Sequence, residues 1–164
     1  MIVIRETSVG KIGIEEQDGK ITKLIFGKFL KHDFGNGEVG DEKSTSVSPI
    51  ISEAFLQLEQ YFKGERKEFS LPLNPKGTPF MKNVWNALCD IPYGKTVTYK
   101  DIAQAVGNPK ACRAVGLANN KNPIAIVIPC HRVIGCSGKL VGYAGGLDLK
   151  RKLLVLENKS FQEK

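Results

Sequence analysis

Residues 96–120, TVTYKDIAQAVGNPKACRAVGLANN, decide how the second half of this chain folds. Thr98 followed three residues later by Asp101 is a helix-start signature, and Gly107 offers the positive φ at which a helix stops. Asn108-Pro109 then opens a second helix, because proline's fixed φ and missing N–H suit a first turn. Two short helices joined by a tight turn read as a helix-turn-helix, with an ordinary helical hairpin as the equal alternative on spacing alone. Residue size separates the two. Ala111, Cys112, Ala114, Gly116 and Ala118 leave the second helix nearly bare around Arg113. So smooth a helix suits the minor groove of a duplex, about 6 Å wide, where it reads little sequence. Arg113 is then a phosphate ligand or a wedge in the base stack, against the blander reading of a solvated arginine. Lys100, Lys110, Arg113 and Lys121 outweigh Asp101, as phosphate contact requires.

Upstream, the first twenty-six residues read as strands. Ile12 and Ile14 alternate with Lys11, Gly13 and Glu15, Asp18-Gly19 supplies a tight turn, and Ile21 to Phe26 returns. Lys28 to Ser48 is polar and without period, which predicts a long loop. Ser48-Pro49 opens a helix that carries Ala54, Leu58, Tyr61 and Phe62 at helical spacing until Gly64. The turn-rich LPLNPKG at 71–77 is the predicted boundary, giving an N-terminal α/β structural domain over 1–76 and a C-terminal domain over 77–164. Past it, Thr78-Pro79 begins a helix with Phe80, Val84 and Leu88 on one face; Phe80 and Trp85 are expected in the core. The fold class is α/β: a small antiparallel sheet with a flanking helix, then a mainly helical part.

The 164 residues suffice for one ordinary domain or two small ones, and the 41% apolar, 25% charged composition excludes collagen, coiled coil and wholesale disorder. No apolar run is long enough for a membrane span, and the opening turns charged by Arg5, so the expected location is the cytoplasm, without a membrane partner. A net charge of +7 disposes the surface towards polyanions. The four cysteines, Cys89, Cys112, Cys130 and Cys136, are expected as thiols. With no C-x-x-C and two histidines, neither a metal nor another cofactor is expected.

Cys130 stands apart from the other three. The apolar run IAIVI at 124–128 delivers it to a turn as Pro129-Cys130-His131-Arg132-Val133. Pro129 suits the start of a helical turn, so unpaired N–H groups near Cys130 would favour the thiolate. The neighbouring His131 can serve as base, through a water because adjacent side chains diverge. In the last helix Leu149, Leu153 and Glu157 share one stripe, so the core-facing side ends in an acid. The predicted relay is Cys130–His131–Glu157.

The PCHRV motif at 129–133 resembles the active-site signature of the O6-alkylguanine-DNA alkyltransferases, the methylated-DNA–protein-cysteine methyltransferases. The resemblance runs from about Thr78 to Glu157. It includes Val84-Trp85, Ile91-Pro92-Tyr93-Gly94, Thr98-Tyr99, Gly107-Asn108-Pro109-Lys110, Arg113-Ala114-Val115-Gly116 and Asn122-Pro123 at the family spacing, and is loose before it. It implies a DNA repair protein that takes alkyl groups from O6 of guanine, and from O4 of thymine, in a single irreversible transfer to Cys130 after the base is flipped out. His131 and Glu157 would complete the relay, Tyr99 would press on the target's phosphate, and Arg113 would fill the vacated stack. Ala111, Cys112, Ala114 and Gly116 would face the minor groove. Asn122 would be a hinge, and Tyr143 would donate to the guanine, with Val133, Ala144 and Lys150 beside it. The resemblance also implies a ribonuclease-H-like first part, use on the nucleoid, and a monomer. Ala144 stands where some members carry serine, and Cys112 where alanine is common. Non-catalytic lesion binding or DNA-bound regulation is the alternative, and Cys130 argues against it.

Overall fold

The computed structural model describes residues 1–34, 39–40 and 46–163. Two compact units emerge: Met1–Lys76 with Pro123–Ala125, and Gly77–Asn122 with Ile126–Lys164. The chain thus enters the second unit, returns to the first for three residues, and leaves again.

In the first unit β1 (Ile2–Thr7), β2 (Gly10–Gln17) and β3 (Lys20–Phe26) form an antiparallel meander. Asp18 and Gly19, at φ 54° and 75°, are the two positive-φ residues of the β2–β3 hairpin predicted from Asp-Gly. A register shift at Glu15/Glu16 marks a bulge. The polar segment after β3 is not wholly loop: Gly27–Phe29 forms a 3-10 turn, α1 covers Leu30–Phe34, and β4 (Val39–Gly40) pairs parallel to β1. A two-residue strand held by backbone bonds leaves no side-chain period to read. Residues 35–38 and 41–45 of the expected loop lie outside the described residues. The sheet order is β3-β2-β1-β4.

Helix α2 (Pro49–Phe62) covers the sheet with Ile51, Ala54, Phe55, Leu58 and Tyr61, and meets Val3, Ile12, Ile14, Leu24 and Phe26 in the core. Pro49 starts it without a side-chain cap from Ser48. At its end Glu65 N–H bonds the Gln60 carbonyl (2.8 Å) and Gly64 N–H the Tyr61 carbonyl (3.0 Å), with Gly64 at φ 75°. That is a Schellman stop. Two passing segments lie along β3: Leu73 bridges Ile21, and Ile124 bridges Leu24.

The second unit begins with α3 (Pro79–Cys89), capped by Thr78, whose hydroxyl accepts from the Met81 N–H at 3.2 Å. Its inner face holds Val84, Trp85 and Leu88. Phe80, expected inside, is half-buried at the first turn. The Trp85 indole N–H donates to the Ala118 carbonyl at 2.9 Å, fastening α3 to α5 (Cys112–Asn120). Helix α4 (Tyr99–Ala105) carries a complete capping box between Thr98 and Asp101 and stops through Gly107 at φ 79°. The predicted helix-turn-helix is thus α4–α5. Its second helix starts at Cys112 rather than Asn108, because Asn108–Ala111 is spent on a turn closed by Ala111 N–H to the Asn108 carbonyl at 3.0 Å. Strand β5 (Val97–Thr98) pairs in parallel with β6 (Val133–Ile134), tying the start of this motif to the segment after Cys130. Helix α6 (Leu147–Glu157) closes the unit. No helix among the described residues is long and apolar enough to cross a membrane.

Replacing Trp85 with phenylalanine removes a buried donor and part of the packing that seats α5. We expect a loss of about 2 kcal/mol in denaturant or thermal unfolding.

Candidate active site and nucleic-acid interface

The approach to Cys130 is buried: Ile126 and Ile128 have almost no exposure. Ile126 sits at φ 71°, a left-handed conformation that a β-branched residue adopts only under constraint, at a cost of about 1–3 kcal/mol. Pro129 then leads into a single 3-10 turn, Cys130–Arg132. The Cys130 N–H is consumed by the Ile128 carbonyl at 2.8 Å. So short a turn offers little dipole. Burial pushes the Cys130 thiol above its ordinary range, while a hydrogen bond from Asn122, the charge of Lys150 and the residue's own backbone N–H pull it back. The thiol is 5% exposed.

His131 follows with no exposed surface. Its Nε2 lies 2.6 Å from Glu157 Oε2, which joins the turn to the last residue of α6 as the stripe through Leu153 requires. Burial lowers the imidazole's affinity for a proton; Glu157 opposes this, and Arg132 and Lys150 reinforce it. His131 Nδ1 is buried and makes no hydrogen bond in the structure.

Arg132, quoted in the sequence motif but given no role there, also reaches Glu157. Its Nε donates to Oε1 at 2.7 Å and its Nη2 to Oε2 at 3.1 Å, while Nη1 donates to the Ile91 carbonyl at 2.8 Å. The Tyr93 ring lies 5.7 Å from the guanidinium carbon. The Gly94 N–H adds a 3.3 Å contact to Oε1. Gly94 is at φ 78°, and a Cβ there would stand 3.1 Å from the Glu157 carbonyl oxygen, so glycine is required twice over.

Asn122 donates its amide to the Ile128 carbonyl at 2.7 Å, across the segment that precedes Cys130. Lys150 has no exposed surface: its ammonium donates to the carbonyls of Val133 (2.6 Å), Val141 (3.0 Å) and Gly142 (3.4 Å). Burial pulls its pKa down to about 8. This lysine is spent on the protein's own loop. Tyr143 packs edge-on against His131, ring centroids 6.5 Å apart, and Ala144 next to it is exposed.

Tyr99, the first residue of α4, donates its hydroxyl to the Val141 carbonyl at 3.1 Å. On α5, Val115, Ala118 and Asn119 turn inward, and Arg113, Ala114, Leu117 and Asn120 outward, with Ala111, Cys112 and Gly116 half-buried. Ala118 is therefore core rather than part of the bare surface, and Leu117, passed over among the small residues, is 59% exposed. The helical phase set by Val115 decides both. All four cysteines are free thiols, and no group of three potential metal ligands lies together among the described residues.

A buried Cys–His–Glu array and a helix-turn-helix in one unit define a DNA-directed transferase with a protein nucleophile. Residues 79–159 match the family model described as the 6-O-methylguanine DNA methyltransferase DNA binding domain, and residues 4–75 that enzyme's ribonuclease-like domain. The chain belongs to the methylated-DNA–protein-cysteine methyltransferase family. It is 63% identical to the Methanosarcina barkeri methylated-DNA–protein-cysteine methyltransferase over 153 residues, covering 91% of this chain and 97% of that one. Against the constitutive Bacillus subtilis enzyme it is 48% identical over 160 residues, 97% and 96% of the two chains. A crystal structure of Mycobacterium tuberculosis OGT in complex with DNA superposes with a TM-score of 0.85 at 41% identity, covering 96% of this chain and 92% of that one.

Asn122→Ala removes the largest of the three influences that lower the Cys130 thiol and frees the Ile128 carbonyl. We expect alkyl transfer from a lesion-bearing duplex, followed by quenched-flow assay, to slow by at least about tenfold near neutral pH.

Proposed function

We infer that this protein repairs O6-alkylguanine in double-stranded DNA by moving the alkyl group irreversibly to Cys130. The observation that carries this is the buried Cys130 followed by the His131–Glu157 pair, whose imidazole holds an unbonded Nδ1. A lesion inside a duplex cannot meet a buried sulfur in line, so the nucleotide must rotate out of the stack. The Cys130 proton passes through a water to His131 Nδ1. The thiolate attacks the alkyl carbon, the carbon–O6 bond breaks, and the departing guanine anion takes up the proton that His131 received from Cys130. A thioether is a poor leaving group, so the protein is consumed.

For the DNA side, we propose that α5 enters the minor groove with Arg113 as the residue that fills the stack; its exposed, lightly built face supports this. Tyr99 would exchange its Val141 bond for pressure on the phosphate next to the lesion. Tyr143, against His131, would donate to the guanine; Val133, Ala144 and Lys150 would shape the loop around the base. O4-alkylthymine would be a second substrate. Action as a monomer in the cytoplasm, on the nucleoid, completes the reading; bacterial and archaeal relatives support that location.

After incubation with a duplex containing O6-methylguanine, mass spectrometry of the Cys130 peptide should show one added methylene, at one per protein chain. An unmodified peptide with retained lesion binding would identify a binder instead; several turnovers per chain would identify a hydrolase. Cys130→Ala should bind the duplex and transfer nothing. Arg113→Ala should slow transfer from the duplex at least about tenfold while leaving transfer from free O6-benzylguanine unchanged, since the free base needs no extrusion.

A further inference from the structure

The carboxylate of Glu157 faces three other polar groups at once, and the proton on the Nε2···Oε2 contact can sit on either side. With Glu157 ionised, the proton stays on His131 Nε2 and Nδ1 is a base. With Glu157 protonated, Nε2 accepts, the imidazole carries its proton on Nδ1, and it cannot take one from Cys130. An isolated anion at a site 8% exposed would take up that proton, because burying an uncompensated carboxylate costs several kcal/mol.

Arg132 decides between the two. Its fork reaches both oxygens of Glu157 from the residue next to His131, and its third contact, to Ile91, fixes the guanidinium plane. We propose that Arg132 is a positioning residue that holds His131 in the Nε2–H tautomer, so that the nitrogen left to receive the Cys130 proton is Nδ1. The role rests on Cys130 as nucleophile. The other charged or titratable groups around the pair are Lys150 from α6, Tyr143 from the loop before it, Cys89 at the end of α3, Tyr93 in the loop after α3, and Cys130 itself. Arg132 donates two bonds to the carboxylate, one to each oxygen. Its charge also works against protonation of His131, in the same sense as burial.

The experiment reads ¹⁵N chemical shifts of the His131 ring in DNA-free protein, together with the pH profile of alkyl transfer. Wild type should show a protonated Nε2 and an unprotonated Nδ1 at neutral pH. In Arg132→Met the Nδ1 signal should move to the protonated position, and transfer at pH 7 should fall at least about tenfold, with the acid limb of the profile displaced upward. Arg132→Lys keeps the charge without the fork and should restore the wild-type ring signals with part of the rate; it also serves if the methionine variant fails to fold. A folded Arg132→Met with wild-type ring shifts and an unmoved pH profile would overturn the proposal, as would a folded lysine variant that leaves Nδ1 protonated. The ring measurement needs no substrate, so its failure is distinct from failure of the repair reading, which the mass of the Cys130 peptide decides.

Discussion

Glu157 ends α6 with its carboxylate turned inward, and a buried anion there is tolerable because two other segments of the second unit bring donors to it. The 3-10 turn supplies His131 and Arg132, and the loop after α3 supplies the Gly94 N–H. The C-terminus of a helix is an unfavourable place for an acid, since the helix dipole already makes it negative. Specific pairing overrides that bias. The donors come from two stretches of backbone outside α6, so the carboxylate fixes where the turn, the loop and the last helix lie relative to one another inside this unit. Removing it would leave a guanidinium buried without its counter-charge, the costlier half of a broken pair.

A second set of constraints organises the segment around Tyr143. The Val141 carbonyl accepts from both Lys150 and Tyr99, so one oxygen is shared between α6 and the first residue of α4. Gly142, at φ 54°, lies where a Cβ would stand 3.1 Å from the Asn120 amide oxygen, so the loop comes close to the end of α5. The segment that carries Tyr143 and Ala144 is therefore registered on the helix-turn-helix on one side and, through the Val133 carbonyl, on the strand after Cys130 on the other. A displacement of α4 would be felt at the loop through a single hydroxyl.

Much of this was legible in the residues themselves. Asp18-Gly19, Gly64, Gly107 and the Thr98–Asp101 box state their conformations directly, since each is a local demand on φ or on an unpaired N–H. The stripe Leu149–Leu153–Glu157 likewise placed an acid at the core face of α6. What stayed hidden depends on partners distant in the chain. The strand β4 exists through backbone pairing with β1, the start of α5 was displaced by a turn that competes for the same residues, and Ala118 is buried because Trp85 reaches its carbonyl. The state of Cys130 was misjudged for a related reason. Proline before a turn suggests nearby N–H groups, and the Cys130 N–H does pull the thiol down, but the desolvation that outweighs it comes from a whole unit packing around it.

That desolvation fits a protein that each reaction consumes. An exposed, ionised thiol reacts with any soft electrophile or oxidant, and every such event would cost one molecule of repair capacity. With 5% of its surface exposed, Cys130 is shielded from bulk reagents. On the proposed reading the means of activation lie around it: a buried imidazole with an unbonded nitrogen, an amide from Asn122 and a lysine charge. A purine delivered into the site excludes further water and strengthens each of those interactions at the moment the proton must leave sulfur. Selectivity then comes from access and from activation coupled to occupancy, and the thiol need not be intrinsically reactive at rest to be effective when a base is in place.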